Sequence, residues 1–137
     1  MSFINESLSI LINVLHLIVI IFVVAVPFSN SNYLLMLHII VVPFIMLHWL
    51  LNNNTCCLTL MEKYIREKTT SGGKVNTEDC FSYKLISPIY DFNNNHGNFS
   101  LFIYAITIGL WGISVHNLGT KFYNGEIKNV NDLAQIL

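Results

Sequence analysis

From Leu8 to Phe28 the chain runs 21 residues without a charge. A bilayer core of about 30 Å takes roughly 20 helical residues to cross. Inside lipid, every backbone N–H and C=O must be bonded within the protein, and a lone segment achieves that only as a helix. Asn13, His16 and Pro27 are the only interruptions of this run. We read it as a retained span and not a signal peptide. Residues 1–7 carry Glu6 and no Lys or Arg, the run exceeds an h-region, and no small-residue cleavage pattern follows it. Pro27 falls at the end of the run, where a lost backbone donor costs little.

A polar turn, Ser29 to Asn32, leads to a second apolar run over Tyr33–Leu51 that holds His38, Pro43 and His48 but no charge. So short a turn makes the two runs an antiparallel hairpin. Pro43 lies mid-run and predicts a kink. A third run extends from Phe99 to Leu118, with Trp111 well inside it. Gly109 and Gly112 there predict close helix contact, although their spacing is not GxxxG. Trp49 closes the second run, at the level where an interfacial indole is favoured. The expected fold class is all-α: one membrane domain over residues 1–137 with spans at about 8–28, 33–51 and 99–118 and an amphipathic tail over 119–137.

Charge separates the rest. Charged residues make up 11% of the chain, against about 25% in soluble domains. Ten of the fifteen lie between Asn52 and Asn98. Thr59-Leu-Met-Glu62 matches a capping box with Thr59 as N-cap and Glu62 at the third helical position. It predicts a helix from Leu60 to about Thr69, stopped by Gly72-Gly73. Leu60, Met61, Tyr64 and Ile65 would form its apolar stripe, packed on the end of the hairpin as an interfacial helix. Glu62 and Arg66 form an i, i+4 pair. A second short helix is expected after Thr77, carrying Phe81, Tyr83, Leu85 and Ile86 and ending before Pro88. Asn131 or Asp132 would cap a last turn in the tail.

Three spans place the N-terminus and residues 52–98 on one side, and the 29–32 turn and the tail on the other. Lys and Arg number five on the first side and two on the second. The positive-inside rule then makes residues 52–98 cytoplasmic. The sequons Asn53-Asn54-Thr55 and Asn98-Phe99-Ser100 would carry no glycan there. A net charge of −1 leaves no basic excess to neutralise phosphates, which argues against a nucleic-acid partner.

The most specific stretch is His48-Trp-Leu-Leu-Asn-Asn-Asn-Thr-Cys-Cys-Leu-Thr-Leu-Met-Glu-Lys-Tyr-Ile-Arg66. It resembles an uncharacterised family of small bacterial membrane proteins with Cys-Pro-Leu-Thr-x-x-Glu-x-x-Leu-Arg after the second span and a His in each of the first two. Cys56, Leu58, Thr59, Glu62 and Arg66 match that motif, and His16 and His38 match the membrane histidines. Phe81, Pro88 and Tyr90 loosely follow a later aromatic and proline cluster. Cys57 replaces the motif's proline and Ile65 its leucine. The resemblance covers roughly residues 10–92. The Asn-Asn-Asn-Thr-Cys variant and the Asn-rich composition are also similar to small inner-membrane proteins of large double-stranded DNA viruses. These resemblances imply a membrane fold and, from the viral one, capsid proteins as partners; neither implies a reaction.

Ionisable groups inside spans are costly and often functional. Counted from the first turn, His16 and His48 differ in depth by only roughly 4–5 Å, so they come nearest to the matched depth that haem ligation between helices needs. The commoner arrangement is neutral imidazoles bonded across helices or to Asn13, worth about 0.6–2 kcal/mol each. Cys56, Cys57, Cys80 and His96 supply four N or S donors, but adjacent cysteines chelate zinc poorly. No C-x-x-C, phosphate loop or H-E-x-x-H is present. We therefore expect no cofactor, no metal and no catalysis. The leading expectation is a structural membrane protein, in a virion inner membrane, that contacts capsid proteins through residues 52–98 and the tail. A haem or redox protein and a small channel are the alternatives; for a channel, Asn13, His16 and Thr107 are too isolated to line a pore.

Overall fold

The computed structural model describes residues 2–70, 73–89 and 98–134. Gly72, Tyr90 and His96, all used above, lie outside the described residues. The elements are α1 (Ser2–Ala25), a 3-10 turn (Val26–Phe28), α2 (Asn32–Leu51), α3 (Cys57–Thr69), a second 3-10 turn (Thr77–Asp79), α4 (Phe81–Ile86), α5 (Phe99–Tyr123) and α6 (Val130–Leu133). The structure is 80% helical and contains no strand among the described residues.

Three helices are long and apolar enough to cross a membrane: Phe3–Phe28, Asn32–Leu51 and Phe99–Tyr123. The chain is a multi-pass membrane protein. Two span boundaries differ from the apolar runs. The first helix begins at Ser2, before the run at Leu8, and the third continues to Tyr123, beyond Leu118. Polar flanks extend a helix wherever nothing stops it. The stop in α5 is Gly125, which takes a left-handed φ of 76°. Glu126 N–H reaches back to the Lys121 carbonyl at 3.0 Å, closing the last turn.

The chain forms two compact units. One comprises Met1–Val19 with His48–Ser100, the other Ile20–Leu47 with Leu101–Leu137. In the second unit polar groups share the interior with apolar ones such as Leu35 and Val42. Ile21, Phe44, Leu101 and Ile108 are exposed, whereas His38 and Ser114 are fully buried and Thr107 nearly so. Apolar side chains can face lipid, so the space between helices is left for groups that need hydrogen bonds.

The two prolines explain where those bonds go. A helical carbonyl accepts from the N–H four residues on, and proline has none. Pro43 therefore leaves the Ile39 carbonyl without its donor, in the middle of α2. The indole Nε1–H of Trp111 on α5 donates to that carbonyl at 3.0 Å. Pro27 stands in the same relation to Val23, in the last turn of α1. The Val23 carbonyl instead accepts from His38 Nε2–H on α2, at 3.0 Å. With Nε2 as donor, the neutral ring accepts at Nδ1, and Ser114 Oγ–H of α5 donates there at 2.9 Å. Phe22 lies against the same ring, with centroids 5.5 Å apart. His38 thus ties α1, α2 and α5 together. One helical turn further along α5, Asn117 Nδ2 donates to the Pro27 carbonyl at 2.9 Å.

Below these bonds Leu35, Leu118 and Ile127 form a small apolar cluster, joined by Met36, Ile39 and Leu133. Ser31 caps α2, accepting from the Leu34 N–H at 3.4 Å. Lys121 Nζ donates to the Asn30 carbonyl and to Asn32 Oδ1, and Asn32 Nδ2 donates to the Asp132 carbonyl at 3.2 Å. These bonds bring the 29–32 turn and the tail to the same end, as three crossings require. The tail cap is Asn129, two residues before Asn131 and three before Asp132. Asp132 fills the third-position role instead, accepting from Asn129 N–H at 3.0 Å.

The glycine expectation is not met. A Cβ at Gly109 or Gly112 would meet nothing within 4 Å, so neither serves close approach within the chain. The α5 contact face runs through Thr107, Trp111, Ser114, Leu118 and Lys121, and Gly109 and Gly112 point elsewhere. Trp111→Phe, which removes the indole donor, is expected to cost about 1–2 kcal/mol in a detergent unfolding titration. In a Pro43→Ala background the Ile39 carbonyl regains its own donor, and the same substitution should cost less. Equal costs in the two backgrounds would separate Trp111 from the proline.

Candidate functional site

The residues of the specific motif lie in the first unit, at the end of α2, on α3 and against α4. The Asn52–Asn54 run makes the turn. Asn53 and Asn54 have φ of 52° and 61°, the left-handed region that Asn tolerates better than other residues with a side chain. Their backbone folds back on α2: Asn54 N–H donates to the Trp49 carbonyl at 2.7 Å. The Asn52 side-chain amide donates to the His48 carbonyl at 2.8 Å.

That turn carries the chain into α3 under the ring of His48. The Cys57 N–H, first in α3, donates to His48 Nε2 at 3.0 Å. A helix N-terminus has four unpaired donors, and here a side chain of the preceding helix satisfies one. His48 is therefore a capping residue. Its Nε2 is engaged, and the pairing with His16 as haem ligands loses one of its two donors.

The Thr59–Glu62 capping box is not formed. Cys56 occupies the N-cap position and α3 starts at Cys57, three residues before the expected Leu60. The His48 cap makes the earlier start possible. Thr59 and Glu62 then fall inside the helix, at i and i+3 on one face, and both are buried. The Glu62 carboxylate accepts from the Phe81 N–H through both oxygens, at 3.1 and 3.0 Å. Phe81 is the first residue of α4, so the carboxylate caps that helix across space instead of its own. Thr59 Oγ1 pairs with Ser82 Oγ at 3.2 Å. Arg66 meets Glu62 at 3.5 Å and donates to the Asp79 carbonyl at 2.6 Å. Thr59, Glu62 and Arg66 together dock α4 and its leading turn onto α3.

The apolar stripe is reversed by the same fact. Of its four members only Ile65 is buried; Leu60, Met61 and Tyr64 are exposed, and Lys68 Nζ lies 4.4 Å from the Tyr64 ring centre. The inner face of α3 is taken by the groups that bond α4. Leu58 and Cys56 are half-buried, so Cys56 is not a sealed core residue.

Cys80, the N-cap of α4, is fully buried and leans on the Thr59 carbonyl, with its Sγ 3.9 Å away. Burial, and then the Glu62 carboxylate, push its thiol up to about 11. Burial and the neighbouring Cys56 also push the exposed Cys57 above the ordinary thiol value. Both shifts disfavour the thiolate, the nucleophilic and metal-binding form of the side chain. Among the described residues no three His, Cys, Asp or Glu side chains gather as a metal site.

His16 remains. It is buried on α1, and its Nδ1 and the nearby Asn13 Oδ1 make no hydrogen bond among the described residues. A bond between the two, one of the arrangements expected, is absent among the described residues. Sequence reading missed His38–Ser114, Asn117 and Lys121. Their signal was present in the spacing of Thr107, Trp111, Ser114, Leu118 and Lys121, a helical stripe seven residues in period.

Two outcomes test this arrangement. Glu62→Ala leaves the Phe81 N–H and Arg66 without their acceptor. It should loosen the α3–α4 pair by about 1–3 kcal/mol, seen as faster amide exchange at Phe81–Ile86, with Glu62→Gln milder. At pH 7.5 a maleimide should label Cys57 first and Cys80 only after unfolding. The raised Cys80 value means its contribution to stability is complete below about pH 9 and falls away toward pH 11. Cys80→Ala should flatten that decline.

No family model, curated protein or solved structure matches the chain. What it does must be read from its own residues.

Proposed function

We propose that this chain is a structural membrane protein that holds a protein partner at the bilayer surface through the α3–α4 platform. The observation that carries this reading is the use of the motif residues. Thr59, Glu62, Arg66 and His48 all bond within the chain and stiffen the platform. The face left outward bears Leu60, Met61 and Tyr64, each at least 42% exposed. Met and Tyr are enriched at protein interfaces, where large side chains bury much area at modest entropic cost. A rigid platform with an apolar, aromatic face suits a tether.

The setting proposed is the inner membrane of a large double-stranded DNA virus, with a capsid protein as the partner and residues 52–98 on the cytoplasmic side. Its support is the similarity of the Asn-Asn-Asn-Thr-Cys stretch and the excess of Lys and Arg on that side.

A photo-crosslinking residue placed at Met61 or Tyr64, in the membranes where the chain is made, should give a discrete adduct with another protein. The same residue at Ile108, on the lipid-facing side of α5, should not. Adducts to lipid alone at all three positions would refute the tether. Absence of the chain from purified particles by mass spectrometry would remove the virion setting and leave the tether standing.

A further inference from the structure

The first unit contains a cavity of about 630 Å³, within the range of small-ligand sites. One wall is the start of a membrane span: Asn5, Glu6, Ser9 and Ile10 of α1. The facing wall is the C-terminal half of α3 with Lys74, Val75, Asp79 and Lys84. Glu6 and Ser9 flank the start of the uncharged run at Leu8, so a crossing by that run would set the cavity at the level of phospholipid headgroups.

Its charges are mixed in sign. Arg66 also lines it, but that guanidinium is engaged by Glu62 and the Asp79 carbonyl. Lys74 and Lys84 remain as cations with no ion pair among the described residues, and Glu6 and Asp79 as carboxylates in the same position. Two lysines suit a phosphate. Two carboxylates beside them would repel a second negative charge and suit an ammonium group. The lining also turns apolar toward the span. Ile10 lines the cavity and is 63% exposed, and Leu11 and Val14 continue an exposed apolar surface along α1. An amphiphile with its head in the cavity would find its chain lying on that surface.

We propose that this cavity binds a phospholipid headgroup bearing both a phosphate and a primary amine. Lys74 and Lys84 hold the phosphate, and Glu6 and Asp79 hold the ammonium group. A phosphatidylethanolamine has this chemistry. A phosphatidylglycerol lacks the cation, and a phosphatidylcholine lacks the N–H donors that bond to carboxylates.

The test uses the full chain in mild detergent, titrated with short-chain phosphatidylethanolamine, phosphatidylcholine and phosphatidylglycerol and read by native mass spectrometry. The ethanolamine lipid should bind with the highest occupancy. A hydrogen bond between charged groups is worth roughly tenfold or more in affinity, so Lys74→Ala with Lys84→Ala should weaken binding more than about tenfold. Both side chains are exposed, and an unchanged circular dichroism spectrum would show that the fold is kept. Glu6→Gln tests the other half independently. It should reduce the preference for the ethanolamine over the choline headgroup and leave phosphatidylcholine binding nearly unchanged. Unchanged binding in the double-lysine variant, or tighter binding of phosphatidylglycerol, would overturn the proposal. Displacement of the lipid by an equal concentration of inorganic phosphate would assign the cavity to free phosphate instead.

Discussion

A peptide carbonyl without a donor is expensive in hydrocarbon, where no water replaces the missing partner. Pro43 creates one such carbonyl in this chain, at Ile39, and Pro27 another, at Val23. Each receives a ring N–H from a neighbouring helix, Trp111 in one case and His38 in the other. These directional bonds act beside the packing of Leu35, Val42 and Leu118 and fix register where lipid solvates Leu and Ile as well as another helix does. Ser114 and Asn117 follow from the same requirement. Once His38 is turned toward Val23, its other nitrogen needs a hydroxyl, and Ser114 is placed to supply it.

The polar section applies the rule at the membrane edge. His48 satisfies the start of α3 and Glu62 the start of α4. Neither cap comes from the helix it serves, so each ties two elements together while it completes one. That dual use explains why motif residues that read as a local capping box act at long range. It also explains the outward stripe of α3. A helix whose inner face is occupied by a threonine, a glutamate and an arginine has only its outer face for Leu60, Met61 and Tyr64.

In the proposed reading, function lies in surfaces more than in reactive groups. The histidine expected to pair with His16 is engaged in capping, and the buried cysteine is held as a thiol by its surroundings. The two surfaces proposed for partners are the platform's outer face, for a protein, and the mixed-charge cavity beside the first span, for a lipid headgroup. Both depend on α3 being held rigidly beside α1, the first for its presentation and the second for its walls.

Three uncharged runs of about 20 residues determined by themselves that the chain crosses a membrane as helices, since no other single-segment structure closes its hydrogen bonds in lipid. The short second helix of the polar section was legible after Thr77, though residues 77–79 form a separate 3-10 turn and the helix itself starts at Phe81. Partner choice was not legible. Sequence spacing shows that Glu62 can reach a nearby N–H, and Thr59 three residues earlier offered the obvious one. Only the tertiary structure brings Phe81 there, nineteen residues away in sequence. The same holds for His38 and Trp111. A proline marks which carbonyl has lost its donor, but the side chain that replaces it is decided by which helix face turns toward it, and that is a property of the packed chain.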